Sequence, residues 1–267
     1  MMPKLVGGRP GFRSWVDKHP DPKWGLMPLT HITKGIVAED IIRSNTVSVS
    51  DCKVFGEPLA YLFYGRPAYR VAGDGSIRVE AACPFCFIFD ASLIQKAKAI
   101  FAFDTGAFDK RLYSRILMDE MTVEDFSLEG DTTRPNRIIS ALFGTRREYF
   151  EGDTSKIDSG RAAEAWEFHA QAYLDLLTSP GRNEPDDRIC SIEVILGEPI
   201  SIEGNLSAVV VPHTLWDGEK GAPWLERLVQ SGVVVSPYTF VPGRHPDYYQ
   251  AHLEAAVRDL YLAWGDL

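Results

Sequence analysis

Val54-Phe-Gly-Glu-Pro-Leu-Ala-Tyr-Leu-Phe-Tyr-Gly-Arg-Pro-Ala-Tyr-Arg70 is the stretch whose reading decides the fold. A turn, Gly56-Glu57-Pro58, opens it, and Leu59 to Tyr64 follow without a charge. Both alternating sets, Leu59/Tyr61/Phe63 and Ala60/Leu62/Tyr64, are apolar or aromatic, which predicts a strand buried on both faces and therefore central in a sheet. Gly65 ends the run and Arg66 follows at once, then Pro67, Tyr69 and Arg70. A buried strand that ends in Tyr-Gly-Arg-Pro brings a phenol and a guanidinium to the rim of the core, where sheet proteins place ligand sites. The plain alternative is an ordinary strand end with a surface arginine.

Outward from this strand the chain reads as a mixture. Residues 1–26 are rich in Gly, Pro and charge and predict an extended arm anchored by Trp15 and Trp24. Met27 to Thr33 predicts a short strand with Leu29, His31 and Thr33 on one side. Gly35 to Ser44 predicts a helix, Phe85 to Phe89 a second wholly apolar strand, Leu93 to Ile100 a weak helix and Asp109 to Asp119 a further one. Turns are expected at 73–76 and at Pro180-Gly181. Residues 122–160 read as a polar, irregular insertion with a helix near 135–142. Arg161 to Thr178 carries Ala165, Trp166, His169, Tyr173 and Leu176 at helical spacing. Arg188 to Leu196 predicts a strand with one apolar face, Cys190/Ile192/Val194/Leu196, and Glu193 on the other. An unpaired buried carboxylate costs several kcal/mol, so Glu193 needs a partner or a cleft. Further strands are expected at 208–211 and 233–240, the latter at an edge because of Pro237, and helices at 225–230 and 247–264. The order lacks a βαβα alternation and predicts an α+β fold with an antiparallel or mixed sheet.

Composition narrows the function. The chain has 267 residues, 45% hydrophobic and 24% charged, as expected of a globular protein with a single domain. A net charge of −9 argues against a protein that coats nucleic acid through its phosphates. Residues 1–10 show no apolar leader and no run of about 18 apolar residues exists, so neither a secretory signal nor a membrane span is expected, and the cytoplasm is the default setting. Arg134, Arg137, Arg146 and Arg147 cluster in the insertion; they read as a solvated face, or as the surface for a nucleic-acid or phosphate-rich partner. Cys83-Pro-Phe-Cys86 lacks a second pair at zinc spacing and leads into a strand, so buried free thiols are expected and no metal. Asp104-Thr-Gly106 occurs once, without the second copy an aspartic protease needs, and reads as a turn capped by Asp104. Rossmann and Walker glycine loops, Gly-x-Ser-x-Gly and His-Glu-x-x-His are absent from the sequence.

Three segments together carry a resemblance. Leu29-Thr-His-Ile-Thr33 resembles the first-strand His-Ile-Thr of DarT-like ADP-ribosyltransferases. Leu59 to Tyr69 resembles their aromatic strand followed by an arginine. Asp187-Arg-Ile-Cys-Ser-Ile-Glu-Val-Ile-Leu196 resembles their late strand bearing the catalytic glutamate. The resemblance covers scattered segments between about 26 and 212. It implies an ADP-ribosyltransferase-like split, mixed sheet with flanking helices and with NAD+ in the cleft. It further implies that His31 and Thr33 hold the adenosine ribose and phosphate, that Tyr64 or Tyr69 stacks on the nicotinamide, that Arg66 sits near the diphosphate and nicotinamide ribose, and that Glu193 is the catalytic carboxylate. An arginine suits a diphosphate and an aromatic ring a flat nicotinamide. The implied activity is transfer of ADP-ribose to a nucleic-acid or protein acceptor, in the setting of a toxin or phage-defence effector with a neutralising antitoxin partner. NAD+ glycohydrolysis on the same fold and a non-catalytic partner-binding module are the alternatives. Ser191 stands where many protein-modifying members carry Glu or Gln, which speaks against an arginine-directed enzyme.

Overall fold

The computed structural model describes residues 3–5, 7–68, 75–158, 162–179 and 188–267. Tyr69, Arg70, Arg161, Asp187 and the turn expected at Pro180-Gly181 lie outside the described residues, as do Gly73 and Asp74 of the turn expected at 73–76. The described chain is α+β. Its strands are β1 (Leu29–Lys34), β2 (Thr46–Val47), β3 (Ser50–Asp51), β4 (Pro58–Tyr64), β5 (Pro84–Phe89), β6 (Ala99–Phe101), β7 (Glu193–Leu196), β8 (Ile200–Ser201), β9 (Leu206–Pro212) and β10 (Val234–Tyr238). Eight of these form one mixed sheet in the order β10-β9-β5-β1-β4-β7-β6, with β3 added on the side to β4. Among the described residues only β9 and β10 run parallel. As Pro237 predicts, β10 is an edge strand.

The sheet is nearly split between β1 and β4. β1 pairs with β5 along its whole length, from Leu29 opposite Phe89 to Lys34 opposite Pro84. With β4 it shares only Leu29–Tyr64 and Thr30–Phe63. Beyond Thr30 the two strands diverge, and β4 continues on its other side against β7, with Phe63 opposite Glu193 and Ala60 opposite Leu196. The end of β4 is fixed from three directions. Gly65 adopts the left-handed conformation (φ 67°), where a Cβ would fall 2.5 Å from Met27 Cε. The Tyr261 hydroxyl donates to the Gly65 carbonyl (3.0 Å), and the Tyr149 hydroxyl donates to the Tyr64 carbonyl (2.8 Å).

Helices cover the sheet. They are α1 (Gly11–Lys18), α2 (Gly35–Ser44), α3 (Thr105–Asp109), α4 (Arg134–Ile138), α5 (Arg146–Glu151), α6 (Phe168–Thr178), α7 (Pro223–Gln230) and α8 (Pro246–Trp264). The helix α2 begins directly after β1, as the sequence predicts, and stops at Asn45 in the left-handed conformation. The long C-terminal helix α8 lays Tyr249, Leu253, Val257 and Tyr261 over Cys86, Ile88, Ala208 and Val210 as one core. A larger core takes in Leu29, Leu62, Tyr64, Phe85, Phe87, Val194 and Val209.

Several segments differ from the sequence reading. The N-terminal arm contains α1, whose Phe12 and Trp15 are buried, Phe12 against Phe126 and Tyr173. Residues 122–158 are not a solvated insertion, because Phe126, Leu128, Ile138, Ile139, Leu142, Phe143 and Tyr149 all enter the main core. The helix expected at 109–119 reduces to α3 followed by turns, one passing through Arg111 at positive φ. The weak helix at 93–100 becomes a short 3-10 turn at 91–96 and the edge strand β6. The expected stripe on the helix from 161 fails at Trp166, which is 70% exposed and precedes α6. The strand expected from Arg188 starts only at Glu193; a 3-10 turn at 188–190 comes first, since Ser191 N–H bonds back to the Arg188 carbonyl (3.1 Å).

Tyr64 illustrates the packing. It is fully buried, its hydroxyl donates to Asn136 Oδ1 (2.9 Å) and accepts from Met27 N–H (3.1 Å). The expected effect of Tyr64→Phe is therefore a stability loss of about 1–3 kcal/mol from two orphaned buried groups, read as a lowered urea midpoint, with ligand binding between β1 and β4 unchanged.

Candidate active site

The fork between β1 and β4 opens into a cavity of about 670 Å³, within the usual range for small-molecule sites. Ile32, Thr33 and Lys34 of β1 and Val37 of α2 form one wall. Tyr61 and Phe63 of β4 with Glu193 of β7 form another, and Cys52, Lys53, Asp104, Thr105 and Arg188 close the end and the rim. Directly opposed residues of an antiparallel pair share a face, so Phe63 opposite Glu193 puts the aromatic set Tyr61/Phe63 on the carboxylate's side. Tyr64 belongs to the other face.

Glu193 is 3% exposed. Its Oε2 accepts from both the Thr105 hydroxyl (2.7 Å) and the Thr105 N–H (3.1 Å). Burial pushes its pKa well above the usual carboxylate range, the negative charge of Asp104 adds to this, and the Thr105 hydrogen bonds and Arg188 act against it. Thr105 stands there because Asp104 caps α3, its Oδ1 accepting from Ala107 N–H (2.7 Å). The other carboxylate oxygen of Asp104 receives Arg188 Nη1 (2.9 Å), and both partners are buried. The inner end of the cavity thus holds two carboxylates against one guanidinium within an aromatic and apolar wall. Lys34 and Lys53 are exposed at its mouth and form no ion pair among the described residues.

His31 sits at the apex of the fork and does not line the cavity itself. Its Nδ1 lies 2.9 Å from the Tyr61 carbonyl, which can only accept, so Nδ1 carries the proton and Nε2 is the free acceptor. Burial lowers its pKa and favours this neutral ring. The imidazole thereby replaces the backbone ladder where β1 leaves β4. The Tyr61 hydroxyl donates to Cys52 Sγ (2.6 Å), and burial raises its pKa, so the phenol stays neutral.

The structure therefore brings together Thr33 and Glu193, with His31 one step behind, and separates two residues from them. Tyr64 is replaced on the cavity side by Tyr61, because the period-2 alternation turns residue 64 into the core. Arg66 is 5% exposed and is not a lining residue. The bend at Gly65 sends its guanidinium over the end of α5, where Gly152 leaves room for it; a Cβ there would lie 3.1 Å from Arg66 Nη2. Sequence reasoning missed Asp104, Thr105 and Arg188 as site residues. The signal was present in Asp104-Thr-Gly106, a helix cap directly after an apolar strand.

The arginine surface also differs from expectation. Arg134 is forked onto Asp17 (2.8 and 2.9 Å), Arg137 donates to the His19 carbonyl (2.6 Å), Arg146 donates to the Gly25 carbonyl and lies over Trp24, and Arg147 pairs with Glu151 (3.0 Å). The contacts of Arg134, Arg137 and Arg146 tie α4 and α5 to the N-terminal segment rather than leave an open basic patch. The four cysteines are free and buried, and burial pushes the Cys83 thiol up to about 12. Among the described residues no three His, Cys, Asp or Glu side chains are grouped as a metal ion requires, and no helix is long and apolar enough to cross a membrane.

Because the folded protein holds a proton on Glu193 that the unfolded chain releases near 4.5, stability falls as pH rises from that value to the raised folded pKa, and then levels off. Glu193→Gln removes this loss. The variant is expected to match the wild type in thermal melts below pH 4 and to exceed it at neutral pH. Comparisons of the chain with protein-family models, with curated proteins and with solved structures return no match.

Proposed function

We propose that the protein is an NAD+-dependent mono-ADP-ribosyltransferase and that the forked cavity is its active site. The observation that carries this reading is the placement of Glu193, beside the Asp104–Arg188 ion pair, at the closed end of an aromatic-walled cavity whose mouth bears two lysines. A dinucleotide with a cationic ring at one end and a diphosphate further along matches that gradient of charge. The nicotinamide ring would lie against Tyr61 and Phe63, and the diphosphate would meet Lys34 and Lys53. The ADP-ribosyltransferase-like fold belongs to the same proposal; a sheet split between its first strand and a central aromatic strand supports it.

The residues account for the chemistry. The bond from C1′ of the ribose to the nicotinamide nitrogen breaks with its electron pair going to the ring, which leaves as neutral nicotinamide. The cation left at C1′ is stabilised by the Glu193 carboxylate, and the nucleophile of the acceptor bonds to C1′ and gives its proton to that carboxylate or to water. A cationic ring beside Glu193 favours the ionised carboxylate, so NAD+ binding is expected to tighten as pH rises through the raised pKa of the free protein. A toxin or phage-defence role with an antitoxin partner is part of the reading by resemblance alone, as is a nucleic-acid or protein acceptor; a cytoplasmic setting is the default taken from composition.

The test is nicotinamide release from NAD+ by purified protein, with labelled NAD+ offered alongside RNA, single-stranded DNA or a cell lysate. Wild type is expected to release nicotinamide and pass label to one of these fractions. Glu193→Gln is expected to lose roughly 100-fold or more in rate while still binding NAD+. Release without label transfer identifies a glycohydrolase. Absence of turnover in every mixture, with wild type equal to Glu193→Gln, overturns the enzymatic reading in favour of a binding module.

A further inference from the structure

Both hydrogen bonds that hold the Glu193 carboxylate arrive at the same oxygen. Oε2 receives Thr105 N–H at 3.1 Å and the Thr105 hydroxyl at 2.7 Å, while Oε1 has no hydrogen-bond partner among the described residues. Thr105 itself is fully buried. Its backbone is fixed as the first residue of α3 by the Asp104 cap, and Asp104 is anchored in turn by Arg188 across the cavity end. A backbone N–H can only donate, so Oε2 is the acceptor oxygen whatever the charge of Glu193. When Glu193 is protonated, a proton on Oε1 leaves both Thr105 hydrogen bonds to Oε2 intact.

We infer that Thr105 is the positioning residue of this site: it pins Glu193 through Oε2 so that Oε1 alone is presented to the ligand. The inference rests on the transferase reading for its catalytic consequence. The fork geometry explains why a pin is needed. Glu193 is the first residue of β7, its strand neighbour toward the fork is Phe63, and the chain just before it is turn rather than strand. Backbone pairing fixes its Cα, but nothing in the sheet fixes its three side-chain torsions. Two donors from one residue fix both the position of the carboxylate and its rotation about the last torsion. A hydroxyl at position 105 does this and an apolar side chain of the same shape cannot, although the backbone N–H would remain.

Thr105→Val keeps the shape and removes the hydroxyl; Thr105→Ala serves in its place should the valine protein not fold, and Thr105→Ser restores the donor. With NAD+ as substrate, Thr105→Val is expected to lower kcat for nicotinamide release roughly 10- to 100-fold with KM within about twofold of wild type. Thr105→Ser is expected to recover most of the loss. The acid limb of the pH–rate profile is expected to move to higher pH in Thr105→Val, since a lost donor favours the protonated carboxylate. Wild-type kcat and an unmoved acid limb in Thr105→Val overturn the inference, as does an equal loss in Thr105→Ser. Should the wild type not turn over NAD+, the transferase reading fails. The pin is then read separately from the ¹³C carboxylate titration of Glu193, which Thr105→Val is expected to shift upward in pH and which overturns the inference if it does not move.

Discussion

Two residue pairs hold the halves of this sheet together. Leu29 opposite Tyr64 and Thr30 opposite Phe63 are the whole of the ladder between β1 and β4, yet the path of the sheet runs through that junction. Every other feature of the site depends on how early the ladder stops. Two more residue pairs in the same register would place Ile32 against Tyr61 and close the cavity. Instead, His31 bonds the Tyr61 carbonyl that the ladder leaves unpaired, and the space beyond is lined by both prongs of the fork. The junction is reinforced where it exists: Tyr149 bridges the Tyr64 carbonyl and the Ile192 N–H, fastening the end of β4 to the residue before Glu193.

The same junction sets the electrostatics. Glu193 enters the sheet as a carboxylate among Val194, Ile195 and Phe63, a placement that raises the free energy of its ionised form. Local structure and global fold usually agree in a stable protein, and disagreement concentrates at functional positions. Asp104 is matched by Arg188 and by the helix it caps, whereas Glu193 has neutral donors on one oxygen and, among the described residues, none on the other.

The sequence made the skeleton legible where periodicity was strong. The aromatic strand, α2, β5, the edge position of β10 and the C-terminal helix stand within about two residues of their predicted bounds, since each is set by a local pattern of apolar residues, glycine or proline. The site was legible in part. Thr33 and Glu193 reach one cavity, and the polar residue inside an apolar strand was the signal for Glu193. Tyr64 and Arg66 were misplaced because a strand buried on both faces gives no sign of which face meets a cleft, and because the Gly65 bend redirects the residues after it. The segments α1 and 122–158 looked like an arm and an insertion, since short helices with Gly, Pro and charge between them have no period to read; their buried aromatic residues declare themselves only in the packing of Phe12, Trp15, Phe126 and Tyr149. Tyr69 lies outside the described residues.

The pairing of β4 with β7 has a consequence for how the molecule comes into being. Phe63 and Glu193 are 130 residues apart in the chain, whereas the β1–β5 ladder joins residues within about 60 of each other. Closing the longer loop costs more chain entropy and must wait for the intervening 64–192 to collapse, so the half of the sheet around β1, β5 and α2 is the natural early nucleus. The fork is therefore built one prong at a time. During synthesis the first prong can dock long before residue 193 leaves the ribosome, and the carboxylate is added to a cavity whose opposite wall already stands. A chain interrupted between α3 and β7 would possess most of the mouth and lack Glu193.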